Sequence, residues 1–350
     1  MNTKKLRIGV VGLGIGRGQV RCFLEDERVQ LVAVCDNAIK LRQDGMLVED
    51  FARSIGVKLY RDGVEMINSG EIDAISLAVT PKHRMVLLEA AAAKKMPVLM
   101  EKPMAANLGE AVKMARVIKK SGIFFMMEYP MRYFPQLVEV KQLIDDGTLG
   151  QVWSLNAELQ TGWNPPETSW VWDPNNGNGL LNEAIIHLYD TASYLCGKPT
   201  EVYAVGRHHM GKTNLEDSAV LTIRFENGSV AILNGGGLGT AAMAAEPMSV
   251  HVFAENGEAL VTGRDWLYKS LTYATRTDKI RTEKSWEPPP RFQIMRYNTR
   301  EFARCLLENV PTACDLEVGI TAQCVVDAMK ESIRTGKVAK VQSAQALINS

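Results

Sequence analysis

Short apolar runs alternate with amphipathic ones over the first 125 residues, and this alternation restricts the fold more than any other feature of the chain. "LRIGVVGLG" (6–14) is an apolar strand ending in glycines, and a helix-like run follows it to about Asp26. "VQLVAVCD" (29–36), "KLY" (58–60), "IDAISLAVT" (72–80), "PVLM" (97–100) and "GIFFMM" (122–127) supply five more strands. Helical periodicity fills Lys82–Lys95 and Leu108–Lys120 between the later ones. A strand that is apolar at every position is buried on both faces, which a parallel sheet covered by helices provides. The βαβαβ order therefore predicts an α/β fold whose amino-terminal part is a doubly wound, nucleotide-binding Rossmann sheet.

After "RYFPQLVEVKQLIDDG" (132–147) the texture changes. "GQVWSLNAELQTG" (150–162), "SAVLTIRFENGSVAILNGGG" (218–237) and "MSVHVFAENGEALVTG" (248–263) alternate with period two around "ENG" turns, the pattern of antiparallel hairpins. Two amphipathic helices, "RYNTREFARCLLEN" (296–309) and "TAQCVVDAMKESIRTGK" (321–337), close the chain, and the "EPPP" run at 287–290 reads as a linker. With 350 residues, more than one ordinary core holds, the expectation is two domains: 1–127 as the Rossmann domain and 128–350 as an α+β domain. The second is expected to carry a large open, mainly antiparallel sheet. One face of such a sheet must be covered, and an oligomer interface is the expected cover.

Forty basic side chains balance forty acidic ones, which leaves no basic surplus for nucleic acid and no basic block for anionic lipid. The basic start "MNTKK" leads into an apolar run too short and too broken by glycine for a signal peptide or a membrane span. Six cysteines occur without a C-x-x-C pair, which fits a reducing, cytoplasmic compartment and speaks against a zinc knuckle.

"VGLGIGRG" places Gly12, Gly14, Ile15 and Gly16 at the turn from the first strand into the first helix, where backbone can approach a pyrophosphate at a helix amino terminus. The strict G-x-G-x-x-G spacing would put glycine at 17, where this chain has Arg17. Asp36 ends the second strand 24 positions after Gly12; a carboxylate there accepts from both ribose hydroxyls and repels a 2′-phosphate. NAD is the expected cofactor. Lys40 and Arg42 nearby soften that preference and leave NADP open.

"LLNEAIIHLYD" carries Glu183, His187 and Asp190 at i, i+4 and i+7, one face of a helix if the run is continuous. A carboxylate beside an imidazole raises its basicity, the arrangement a general base requires; a purely structural pair is the other reading of the same residues. Trp153, Trp163, Trp170 and Trp172 lie in or beside "TGWNPPETSWVWDPNN" (161–176), where aromatic faces next to carboxamides suit a sugar, or else pin a loop. The adjacent His208 and His209 would point to opposite faces of a strand with no third ligand, so no metal is expected.

Together these pieces resemble the Gfo/Idh/MocA oxidoreductase family, which includes glucose–fructose oxidoreductase and inositol dehydrogenase. The resemblance covers nearly the whole chain. It rests on "VGLGIGRG", "VTPKHR" (79–84), "EKP" (101–103), "RYFP" (132–135), "GNGLLNEAIIHLYD" (177–190) and the "ESIRTGK" helix, and the "EKP" and "HLYD" elements are its specific part. It implies cofactor contacts from Thr80, Pro81, His83, Glu101 and Lys102, and substrate contacts from Arg132 and Tyr133. Trp163 and Trp170 join these as substrate-binding candidates. Lys102 would touch the reacting oxygen, with Pro103 stiffening the turn through a cis bond. Four positions depart from the family pattern: Arg17 for glycine, Met85 for a second histidine, Pro130 for asparagine, and Glu183 for the aspartate four residues before the histidine.

The reaction so implied is reversible oxidation of a secondary alcohol on a sugar, inositol or related polyhydroxy compound. Its catalytic residues would be His187 as base, Lys102 as electrostatic stabiliser and Glu183 as orienting acid. The family also implies a homodimer or homotetramer through the carboxyl-terminal sheet. Two alternatives are a glycosidase-like enzyme that recycles its NAD and a non-catalytic NAD-binding sugar sensor.

Overall fold

The first unit is built on six strands: β1 (Leu6–Val11), β2 (Val29–Cys35), β3 (Lys58–Tyr60), β4 (Ala74–Leu77), β5 (Val98–Glu101) and β6 (Phe125–Glu128). They pair all-parallel in the order β3–β2–β1–β4–β5–β6, the doubly wound topology expected from the alternating pattern. β4, β5 and β6 are buried at every position, as strands covered on both faces must be. Because the strand order reverses between β1 and β4, their carboxyl ends leave the crevice in which such sheets bind ligands. The computed structural model describes residues 5–211, 213–239, 247–287 and 294–350; residues 288–290 of the proline cluster lie outside these.

Contacts assign Met1–Met104, Gly109–Pro130 and Phe292–Gly319 to this unit, and Ala105–Leu108, Met131–Arg291 and Ile320–Ser350 to the second. A single boundary at 127/128 follows the change of texture, but the helix Arg296–Glu308 departs from it. That helix packs on the one at Gly16–Leu24. Its Phe302 meets Phe124 with ring centroids 5.9 Å apart, and Asn298 Nδ2 donates to the Met127 carbonyl at 3.3 Å. An amphipathic helix goes where its apolar stripe is covered, and sequence distance does not decide that.

In the second unit, nine strands form one sheet: β7 (Val152–Gln160), β8 (Pro199–Arg207), β9 (Ser218–Phe225), β10 (Val230–Gly236), β11 (Pro247–Ala254), β12 (Gly257–Arg264), β13 (Leu267–Thr275), β14 (Thr282–Ser285) and β15 (Ala339–Lys340). Their order is β14–β13–β12–β11–β7–β10–β9–β8–β15, antiparallel throughout except where β10 runs parallel to β7. The helices Pro135–Asp145, Leu180–Glu183 and Ile186–Cys196 pack on one face. The outward positions of β8, β9 and β10 leave Tyr203, Val205, Val220 and Ile232 exposed. No helix among the described residues is long and apolar enough to cross a membrane.

Candidate active site

At the end of β1, Gly12 adopts φ +92°, and a Cβ there would lie 2.8 Å from the Ala78 carbonyl oxygen. Only glycine lets the turn pass that close to the end of β4. Gly14 differs: nothing lies within 4 Å of where its Cβ would be, so the loop presents bare backbone outward. Gly16 opens the first helix, α1 (Gly16–Leu24), and its missing Cβ would meet that of Ala78 at 2.7 Å. Gly16 thus performs the helix–strand packing that the strict motif assigns to the third glycine. Arg17, half-buried, instead bonds Asp44 at 2.6 Å with its guanidinium 5.1 Å from the Phe51 ring centre. An open glycine followed by a nine-residue helix fits a pyrophosphate.

Asp36 follows β2, half-buried. Its Oδ2 accepts the Leu13 N–H at 2.7 Å and its Oδ1 accepts the Ala38 N–H at 2.8 Å. A carboxylate has about four acceptor sites, so these two bonds orient it and leave capacity for ribose hydroxyls. Arg61, without a role in the sequence reading, donates to the carbonyls of Asp36 (3.0 Å) and Ala38 (2.7 Å) and holds this corner shut.

Thr80 precedes a 3-10 turn at Pro81–His83; Pro81 is buried and His83 is exposed. The next residue was missed by motif reading. Arg84 is 2% exposed, and its guanidinium gathers backbone carbonyls from two strand ends. Nε donates to Val79 at 2.9 Å, Nη1 to Glu101 and Pro103, and Nη2 to Lys102 at 3.4 Å. The Lys102–Pro103 peptide is cis, as expected, and the turn that carries Lys102 is wrapped around this one buried cation.

Below that turn lie two carboxyl groups, Glu101 ending β5 and Glu128 ending β6, 4% and 2% exposed. Burial first, and then the Glu101 charge, push the Glu128 carboxyl well above the usual carboxylate range, while Lys102 draws it back.

In the second unit, the segment expected to be one helix is two: Leu180–Glu183 and Ile186–Cys196. At the junction the Ile185 N–H reaches back five residues to the Leu180 carbonyl (3.1 Å), and the next bond, Leu188 to Ile185, spans three. The break has a packing cause. Ile185 presses on β10 at Gly235, where a Cβ would lie 2.4 Å from Ile185 Cγ2. Glu183 therefore ends one helix and His187 lies in the first turn of the next, both buried, rather than one turn apart on a continuous ladder.

His187, 6% exposed, meets the Trp266 ring edge-on at 5.7 Å and 72°. Trp266 was not identified from the sequence. It sits with Asp265 in the two-residue turn between β12 and β13, at φ +66° and +56°. Such a turn favours Asn-Gly or Asp-Gly, and a bulky side chain at positive φ costs about 1–3 kcal/mol. The hairpin spends that energy to stand an indole beside the imidazole.

Arg132 lies in the 3-10 turn Pro130–Tyr133 and binds Asp190 through its edge: Nε to both carboxylate oxygens at 2.9 and 3.0 Å, Nη2 to Oδ1 at 2.8 Å. Burial pushes the Asp190 carboxyl up and Arg132 pulls it down, with a net upward shift. The Arg132 fork thus anchors the His187 helix, and Tyr133 beside it is half-buried. Trp172 is the loop pin, buried with Nε1 donating to Pro165 O at 3.2 Å, whereas Trp163 is 38% exposed and Trp170 half-buried. Trp153 lies on the outer face of β7 under the Arg276 guanidinium. Gly177 serves chain packing, since a Cβ there would lie 2.4 Å from Val171 Cα. His208 and His209 fall just past the end of β8, and among the described residues no group of three or more His, Cys, Asp or Glu side chains is arranged to hold a metal.

Comparison with known proteins identifies the family. Residues 6–129 match the model of the oxidoreductase family with an NAD-binding Rossmann fold, and residues 137–259 match the GFO/IDH/MocA C-terminal domain. The chain is 26% identical to the uncharacterized oxidoreductase YrbE of Bacillus subtilis, over 97% of this chain and 98% of that one. It is 27% identical to myo-inositol 2-dehydrogenase of Thermotoga maritima, over 65% of this chain and 68% of that one. Levoglucosan dehydrogenase, solved with NADH and L-sorbose, shares the fold at a TM-score of 0.85 and 18% identity, covering 97% of this chain and 100% of that one. The chain belongs to the Gfo/Idh/MocA family of NAD-binding oxidoreductases.

Proposed function

We propose that the protein transfers a hydride between NAD and a secondary alcohol or ketone of a sugar, inositol or related polyhydroxy compound. The observation that carries this reading is His187, a buried imidazole braced by an indole and preceded by a buried carboxyl side chain, in a chain that also keeps Lys102 at the end of β5. A sensor needs neither side chain. When bound, the nicotinamide supplies the hydride acceptor. Gly12, Gly14, Ile15 and Gly16 hold its pyrophosphate and Asp36 its ribose, with Thr80, Pro81, His83 and Glu101 completing the contacts. His187 removes the hydroxyl proton, and the Lys102 ammonium stabilises the negative charge that develops on the oxygen. Glu183 orients His187 or binds a neighbouring hydroxyl. Trp163, Trp170 and Tyr133 offer apolar faces to the sugar ring, while Arg132 acts through Asp190.

The test is the near-ultraviolet absorbance of reduced nicotinamide with purified protein, NAD and a panel of aldoses, inositols and sugar acids, beside the Lys102→Ala variant. A rise with one compound, lost in the variant, is the expected result. Tight NAD binding with no rise for any compound overturns net dehydrogenation in favour of a cofactor-recycling glycosidase or a sensor.

The open face of the second unit's sheet points to a homo-oligomer. Val205, Val220 and Ile232 lie on neighbouring strands with Tyr203, an apolar surface that a second copy of the same sheet would bury. Ile232→Asp is expected to reduce the mass in light scattering to that of the monomer; a monomeric wild type rejects this assembly. The six cysteines, all buried and unbridged, suit a cytoplasmic location.

A further inference from the structure

Gln19, wholly buried on α1, is the key to the two carboxyl groups beneath Lys102. Its Oε1 accepts the Ser76 hydroxyl at 2.6 Å, which fixes the orientation of the amide. Its Nε2 donates to Glu101 Oε1 at 3.2 Å and to Glu128 Oε2, so both amide protons are committed. Glu101 and Glu128 are register partners on adjacent parallel strands, and the one Gln19 nitrogen that reaches both draws their carboxyl groups together. Ionised carboxylates only accept, and the Gln19 amide has just two protons to offer the pair. Two bare anions there would repel each other with little solvent to screen them.

The surroundings are mixed in charge. Lys102 follows Glu101 directly and favours ionisation of the pair. Arg84 donates to the Glu101 backbone carbonyl. On α1, the Cys22 thiol is pushed up to about 12 by burial and then by the Glu128 charge, while Arg296 and Arg300 draw it down.

We propose that Glu101 and Glu128 form a one-proton carboxyl pair that releases its proton when a positively charged, oxidised nicotinamide binds at the carboxyl ends of β4 and β5, and regains it when reduction removes that charge. The inference rests on the NAD-dependent reading above. Glu128 is the positioning and proton-holding member, and Glu101 the member next to Lys102. The step is a simple dissociation: the O–H bond of the pair breaks, the proton passes to water, and both carboxylates stay bonded to the Gln19 amide. The oxidised cofactor's positive charge compensates the second negative charge, whereas the reduced cofactor has none to offer.

The linkage has a definite sign. A glutamate raised in the folded chain takes up a proton on folding above the ordinary glutamate range. It therefore contributes most below that range, and its contribution is lost as pH rises through the folded value.

Calorimetric titration of NAD and of NADH at neutral pH, in buffers that differ in ionisation heat, tests the proposal. NAD binding to the wild type is expected to release up to about one proton per site, NADH binding far less, and Glu128→Gln none with either. Equal proton release by the variant, or none by the wild type with NAD, overturns it. Infrared spectroscopy of the cofactor-free protein reads the pair independently. A protonated-carboxyl band is expected at neutral pH in the wild type, fading as pH rises, and absent in Glu128→Gln. If neither nucleotide binds but the band is present, the NAD reading fails while the shared proton stands. If the band is missing from the wild type, the pair itself is refuted, whether or not the variant folds.

Discussion

Replacing His187 by alanine is expected to lower kcat by roughly a hundredfold or more, with NAD affinity little changed. The imidazole is buried and meets the Trp266 ring edge-on. Its loss removes the proton acceptor and leaves the glycine loop, Asp36 and Lys102 untouched, so binding and chemistry should separate. Steady-state rates give the first quantity, and quenching of protein fluorescence by NAD gives the second. Full turnover by the variant would reject His187 as base. A fall in NAD affinity matching the fall in rate would mark it as a binding residue instead. Lys102→Ala is expected to cost a similar factor, because stabilisation of developing charge in a desolvated site is worth several kcal/mol.

The second large effect is on stability. Arg84→Ala should destabilise the first unit by roughly 3–5 kcal/mol, since buried carbonyls left without a donor cost about 1–3 kcal/mol each. Val79, Glu101, Lys102 and Pro103 would all lose their donor at once. Water entering the vacated space offsets part of that loss. Urea denaturation measures it, and Arg84→Lys should recover only a fraction, because an ammonium cannot reach carbonyls on both strand ends from one point. NAD affinity is expected to fall as well, since the Lys102 turn would no longer be fixed to the end of β4. A variant as stable as the wild type would show that the turn holds itself.

What could be read directly from the residues was local or periodic. Wholly apolar strands showed a covered parallel sheet, alternating ones an exposed sheet, and Gly12 and Asp36 marked the turn and strand end where a dinucleotide belongs. Lys102 was marked by the "EKP" element of the family resemblance. Features that depend on what a residue meets from elsewhere in the chain were not legible. The second helix pattern looked continuous through Glu183 and His187, and the break appears only because Ile185 lands on Gly235 of a strand about fifty residues later. Arg84 had no role in the sequence; its four carbonyls are brought round it by the pairing of β4 with β5. Glu128 lay just past the apolar run 122–127 with no role assigned; only register beside Glu101, with Gln19 reaching both, pairs the two carboxyl groups. Trp266 carried no sequence signal; the turn between β12 and β13 sets it against His187. The sequence by itself determined the element types and the glycine turn that opens the first helix, because these follow from backbone sterics and the spacing of apolar residues. Tertiary structure alone decided which side chains are braced or paired, because hydrogen bonding and desolvation depend on neighbours distant in the chain.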